Sequence, residues 1–252
     1  MSWNSRTIHY EHEHQFEKIL QLHRLTEAWV DALKEVTEER PSHFLNRGLS
    51  RDMADALWRL ESLSQERLED LLDDTSTDDV LSRLDHTVWS VQAYTLAKLL
   101  ERANSSAPLK SVLEQTSWKL GRNCAEKRWS ELNPLSRKNV AELVLALNDT
   151  PFGNDGVLMI RITAREAHFE MLRCAHQQSS NEVRSVADAL CGLHAHWLKG
   201  FAYGLNPAVG VETIHCTTSS NLESGSGPTR CHCRWTLAEL TPSFKLDQSV
   251  SR

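Results

Sequence analysis

The hydrophobic period of the chain changes once, near residue 150, and that change limits the architectures open to it. Before it, Phe16, Ile19, Leu22, Trp29 and Leu33 recur at three-, four- and seven-residue intervals, the spacing of one amphipathic helix. After the turn-rich run Thr150-Pro151-Phe152-Gly153-Asn154-Asp155-Gly156, residues 157–163 (VLMIRIT) are apolar and β-branched, a predicted strand. Helices gathered first and strands afterwards make an α+β protein rather than an alternating one.

The helical half divides at recognisable stops. Arg40-Pro41 ends the first helix, because the residue before a proline is pushed out of helical space. Ser50 is the expected N-cap of a helix carrying Met53, Leu57 and Leu60, and Ser64 restarts it toward Leu68, Leu71 and Leu72. Thr77 is read as the cap of the next helix, with Leu81, Leu84, Val88, Val91, Thr95 and Leu99 on its inner face. Pro108 suits a first helical turn, and Leu109, Val112, Thr116, Leu120 and Cys124 align behind it. Ser136 opens a last helix with Val140, Leu143, Val144 and Leu147.

In the other half, residues 157–163 and 167–173 are expected to pair as a hairpin. Ser179 with Glu182 forms a capping box for a helix running to about Tyr203, which Gly204 ends in left-handed geometry and Pro207 prevents from resuming. Residues 209–217 and 230–237 form a second hairpin around the Ser- and Gly-rich loop 218–229. The expected architecture is a helical N-terminal half followed by a ββαββ unit with an antiparallel sheet. Its regions are 1–49, 50–149, 150–240 and a disordered tail, 241–252.

Charge and hydropathy exclude whole classes of function. The net charge is −6 with no cluster of Lys and Arg, which argues against a nucleic-acid partner. No apolar run approaches 18 residues, so no membrane span is expected. Residues 1–10 are polar and lack the apolar core of a secretory signal, so the expectation is a cytoplasmic protein with reduced thiols. The even number of cysteines leaves a disulfide framework as the alternative. Trp58, Trp89 and Trp118 are candidates for a homodimer face or for core.

Chemistry-bearing residues concentrate late in the chain. Cys174, Cys191, Cys216, Cys231 and Cys233 accompany His176, His194, His196 and His232, and thiolates with imidazoles suit either a metal or a nucleophile. Alternation in a strand puts Cys231, Cys233, Trp235 and Leu237 on one face and Arg230, His232 and Arg234 on the other. Same-face neighbours lie roughly 6.5–7 Å apart along a strand, too far for a bond between Cys231 and Cys233. Both thiols then join the core, as small hydrophobes or as the lining of a pocket.

Asp188, Cys191 and His194 are spaced by three on the expected helix, beside the apolar stripe of Val186, Leu190, Leu193 and Trp197. A carboxylate, a thiol and an imidazole in that order are the parts of an activated nucleophile. An ordinary helix face is the other reading. Cys174 ends the first hairpin just before this helix. A metal site would draw on Cys174, Cys191, Cys231 and Cys233, with zinc or iron as its ion, although the spacing is not that of a zinc finger or ribbon. Arg161 and Arg234 lie in strands. Either could clasp a substrate carboxylate, or stand on a solvated sheet surface. His9, His12 and His14 with Glu11 and Glu13 resemble a metal-affine tract. His and Glu alternate from Glu11 to His14, but no helix puts all three imidazoles on one face, and a solvated start is expected. Cys124 and Cys216 are read as core or incidental residues.

The order Cys174, Cys191, Asn206-Pro207, Ser224-Gly225 and Cys231-x-Cys233 resembles the L-2-amino-thiazoline-4-carboxylic acid hydrolase-like family. That family is itself similar to vinyl-reductase-type small-molecule-binding domains. The helix from Val112 to Trp129, with Gly121, resembles the helix that leads into such domains. The resemblance covers about half the chain, and Gly-Pro-Thr-Arg stands where the family carries Gly-Asp before its last cysteine.

The resemblance implies opening of a thiazoline ring by water at the carbon between sulfur and nitrogen. Cys191 or Cys174 would be the nucleophile, His194 with Asp188 the acid–base pair, and Arg161 the carboxylate partner beside Trp197 and Arg234. Two functions therefore stand open. One is a hydrolase of a small cyclic sulfur- or nitrogen-containing carboxylic acid. The other is a non-catalytic sensor module for a small molecule or a metal.

Overall fold

A computed structural model describes residues 9–36, 55–56, 58, 60–72, 76–103, 107–132, 139–148, 150–151, 157–163, 165–171, 181–218 and 231–239. The expected features at Arg40-Pro41, Ser50, Met53, Leu57, Ser136, Cys174, His176, Ser179, the loop 219–230 and the tail lie outside these residues. The fold is α+β, and the chain divides into two compact units, Met1–Glu101 and Arg102–Arg252.

The first unit is helical in its described residues. Helix α1 (Tyr10–Val36) buries Phe16, Ile19, Leu22, Leu25 and Trp29 along one stripe, as the periodicity predicts. Ser64 does not restart an α-helix. It lies in a 3-10 turn, Leu63–Gln65, followed by the single-turn helix α2 (Leu68–Leu71). Leu60, Leu63 and Leu68 of this stretch are buried.

Helix α3 (Thr77–Ala103) buries Leu81, Val88, Val91, Thr95 and Leu99. Its cap is Ser76, one residue before the expected Thr77. The Asp79 backbone N–H donates to Ser76 Oγ at 3.2 Å, and Ser76 Oγ donates to Asp79 Oδ2 at 2.7 Å. The hydroxyl satisfies an orphan amide of the first turn, and Asp78 and Asp79 favour the positive end of the helix dipole. Replacing Ser76 with alanine is expected to cost about 1 kcal/mol in urea-induced unfolding of the full chain. A loss within a few tenths would contradict this role for the cap.

A polar seam joins α1 to α3. The Leu22 carbonyl oxygen accepts from Thr26 Oγ1 at 3.2 Å and from the wholly buried Gln92 amide at 3.3 Å. A carbonyl already bonded within its own helix has a second lone pair, which lets a buried glutamine be satisfied there.

In the second unit, helix α4 (Ala107–Leu132) carries Pro108 in its first turn, as expected. Its buried face shares only Leu109 with the predicted stripe. Leu109, Leu113, Ser117, Gly121 and Ala125 are buried, whereas Val112, Thr116, Leu120 and Cys124 are half-buried. Small residues replace large ones along this face because another backbone lies against it. Helix α5 (Val140–Asn148) buries Val140, Leu143 and Val144. Asn139 is its cap, reciprocally bonded with Glu142: the Asn139 N–H donates to Glu142 Oε2 at 2.8 Å, and the Glu142 N–H to Asn139 Oδ1 at 3.0 Å.

The strands are β1 (Val157–Ile162) and β2 (Glu166–Met171), then β3 (Val209–Thr218) and β4 (Cys231–Glu239) after helix α6 (Asn181–Leu205). They form one antiparallel sheet in the order β1-β2-β4-β3. Thr163 makes the tight β1–β2 turn: its N–H donates to the Glu166 carbonyl at 2.7 Å, and its hydroxyl accepts from the Glu166 N–H at 2.9 Å. Helix α5 lies against β2 and β4.

Gly204 does not end α6, which runs one residue further. A Cβ on Gly204 would lie 2.7 Å from the Ala125 Cβ and 2.9 Å from the Arg122 carbonyl oxygen. The glycine is there for close approach and not for a left-handed cap. Asn206 makes the exit instead: its side-chain oxygen accepts the Ala208 N–H at 2.9 Å, and its carbonyl accepts the Val209 N–H at 3.0 Å. This is an Asx turn around Pro207 that feeds α6 directly into β3. Among the described residues no helix is long and apolar enough to cross a membrane.

Candidate functional site

Helix α6 carries the residues on which the chemistry was expected to centre, and its position is fixed by glycines. A Cβ on Gly121 would sit 1.9 Å from the Trp197 carbonyl oxygen, and one on Gly200 would sit 1.9 Å from that of Trp118. Both distances are far inside van der Waals contact, so α4 and α6 touch backbone to backbone. Residues that lack a large side chain at four-residue spacing allow this: Ser117, Gly121 and Ala125 on α4, Gly200 and Gly204 on α6. The ring of Trp118 lies 5.3 Å from that of Tyr203, and Arg122 lies over both at 5.9 and 6.0 Å while pairing with Glu126 at 2.7 Å. Aromatic and cationic groups thus close the outer edge of the helix pair.

Within α6, His194 is 3% exposed, so it belongs to the buried side of the helix. Cys191, one turn earlier, is half-buried and not in a disulfide; the same holds for Cys124 on α4. His196 is half-buried, with Nδ1 2.9 Å from the Gly192 carbonyl oxygen. Trp197, expected to contact a substrate, is 3% exposed and stacked on Phe201 at 5.2 Å with the planes 11° apart. It serves as core. Asp188 lies on the same helix.

The sheet separates the two arginines and the thiols by register. Arg161 is exposed and stands opposite His168, in a row continuing through Thr236 to Glu212, also exposed. His168 pairs with Glu166, two residues away on the same face, at 2.9 Å. Arg161 thus stands among polar and charged side chains on the sheet. The row of Arg234 holds Leu158, Glu170 and His215.

Alternating with these are three rows of other composition. The first is Val157, Met171, Cys233 and Cys216. The second is Met159, Phe169, Trp235 and Thr213, and the third is Ile162, Ala167, Leu237 and Val211. Ala167 is wholly buried. Cys231 is the register partner of Thr218.

Sequence reasoning passed over two features here. Cys216 was read as a core or incidental residue and not connected to Cys233, its register partner. The Glu166–His168 pair was not singled out, although Glu166, His168 and Glu170 alternate with Ala167, Phe169 and Met171 in the sequence and mark the polar face. Among the described residues there is no group of three or more His, Cys, Asp or Glu side chains placed to hold a metal ion. At the start of α1, His12 is engaged with Asp78 at 3.3 Å and with the ring of His9 at 5.4 Å. Tyr10 stacks on His14 at 6.1 Å. No family model, curated protein or solved structure matches the chain.

Proposed function

We propose that β1–β2, α6 and β3–β4 act as one ββαββ unit that binds a small, largely apolar molecule, in the manner of a vinyl-reductase-type sensor module. The observation that carries this reading is the composition of the sheet rows. Three consecutive same-phase rows are apolar or thiol-bearing except for Thr213, with Ile162 exposed at the β1 end, and the intervening rows hold Arg161, His168, Glu170, Arg234 and Glu212. An apolar wall with a few polarisable groups suits a ligand site. The charged partner required by a substrate carboxylate lies in a different row, and Arg161 is exposed. Titrating the reduced full chain with 8-anilinonaphthalene-1-sulfonate is expected to give saturable fluorescence enhancement. Enhancement that rises without saturation would sink the reading.

The hydrolase reading rests on a different observation, a half-buried Cys191 thiol one turn from a buried imidazole on a rigidly held helix. In that case Cys191 is the nucleophile, His194 its base, and Asp188 orients the imidazole. Cys174 would be the alternative nucleophile. Incubation with 2-amino-thiazoline-4-carboxylate distinguishes the two. Ring opening that Cys191→Ala reduces at least about 100-fold supports a catalytic thiol, on the scale of a lost acid–base or nucleophilic contribution. Undiminished turnover in that variant removes the Cys191 assignment.

A further inference from the structure

The first unit holds a buried imidazole that neither reading uses. His23 is 6% exposed, on the face of α1 that also buries Leu22 and Thr26. Neither of its ring nitrogens has a partner in good hydrogen-bond geometry, although the Leu60 backbone lies close enough to favour the charged ring. Its Nε2 lies 3.4 Å from Glu27 Oε1, whose side chain is 44% exposed. The neighbour on the other side is the backbone of Leu60, in the stretch that buries Leu60, Leu63 and Leu68. Among the described residues, the charged groups acting on the ring are Glu27 and Arg24, both on α1.

We infer that His23 makes the docking of residues 60–72 on α1 sensitive to pH, the stretch lifting when the ring takes up a proton.

The physical reason is solvation. A neutral imidazole without hydrogen bonds already costs something to bury, and an imidazolium costs far more. Burial holds the His23 pKa below its ordinary value; Glu27 opposes this, Arg24 adds to it, and the Leu60 backbone opposes it weakly. The unfolded or undocked chain protonates at the ordinary value, about 6.5. The docked form is therefore fully favoured above that value and loses stability as pH falls through it. Glu27 Oε1, 3.4 Å from Nε2 and itself half-exposed, offsets only part of that cost. Lifting would uncover three apolar side chains, Leu60, Leu63 and Leu68, along one stretch.

Hydrogen exchange of the full chain tests this, with rates corrected for the intrinsic effect of pH. Between pH 7.5 and 5, exchange in peptides covering 60–72 is expected to rise several-fold as the ring takes up its proton. In His23→Gln, which stays neutral throughout, the rise should vanish. His23→Leu provides a second neutral variant if the first is poorly folded. Equal protection of 60–72 at both pH values in the wild type would overturn the inference. So would a pH-dependent rise that survives in either variant.

Discussion

Gly121→Ala is expected to destabilise the second unit by at least about 1–3 kcal/mol, the usual cost of overpacking, and Gly200→Ala by a similar amount. In both cases the added methyl would meet a backbone carbonyl at 1.9 Å, that of Trp197 or Trp118. A flexible side chain could swing aside; a helix backbone cannot without moving the whole helix. The general gain from replacing a helical glycine, about 0.5–1 kcal/mol, is thereby outweighed.

Gly192 supplies the contrast on the same helix. It is exposed, and nothing lies within 4 Å of a Cβ placed there. Gly192→Ala should therefore stabilise by about 0.5–1 kcal/mol. Opposite signs for Gly192 and Gly200 in urea denaturation would establish the close α4–α6 contact. Stabilisation by all three alanines would mean that the helices do not touch there.

Phe201→Ala is expected to have an effect of about 3–5 kcal/mol, as for other large aromatic truncations in cores. Phe201 is 0% exposed and stacked on Trp197. Its backbone nitrogen is 3.0 Å from where a Gly121 Cβ would be, so the site is bounded by a helix that cannot collapse into the cavity. The cost should therefore lie toward the upper part of that range, and Phe201→Leu should recover much of it. The two alanine variants should not add, because Gly121 and Phe201 share the same interface. Thermal or urea unfolding of the single and double variants measures this directly.

Much of the fold was legible because long apolar periods dominate local choice. The stripes of α1 and α3 and the strand positions follow directly from spacing. The misreadings of α4 and of Gly204 have one cause in common. On α4, hydrophobicity marked Val112, Thr116 and Leu120 as the inner face, whereas the tightest contact belongs to Ser117, Gly121 and Ala125. A scale that scores side-chain burial is blind to a face selected for having little side chain. Gly204 was misread for the same reason, as a helix stop. The spacing Gly200-x-x-x-Gly204 was the available signal.

Caps shifted by one or more residues, to Ser76 and Asn139, because several Ser, Thr and Asn residues compete at each entry and only the geometry selects one. At the candidate site, the helix of Cys191 and His194 was legible from its period. The partnership of Cys216 with Cys233 was not, because strand register depends on pairing across the sheet and on the irregularity between Thr213 and His215.

The central claim is that the thiol-bearing row, its two same-phase neighbours and α6 together bound a ligand site. The most direct measurement is residue-resolved alkylation of the reduced full chain by iodoacetamide, with and without saturating 8-anilinonaphthalene-1-sulfonate. The account predicts that the probe slows labelling of Cys191, Cys216 and Cys233 together, in proportion to its occupancy. Labelling rates that stay unchanged at saturation would contradict it.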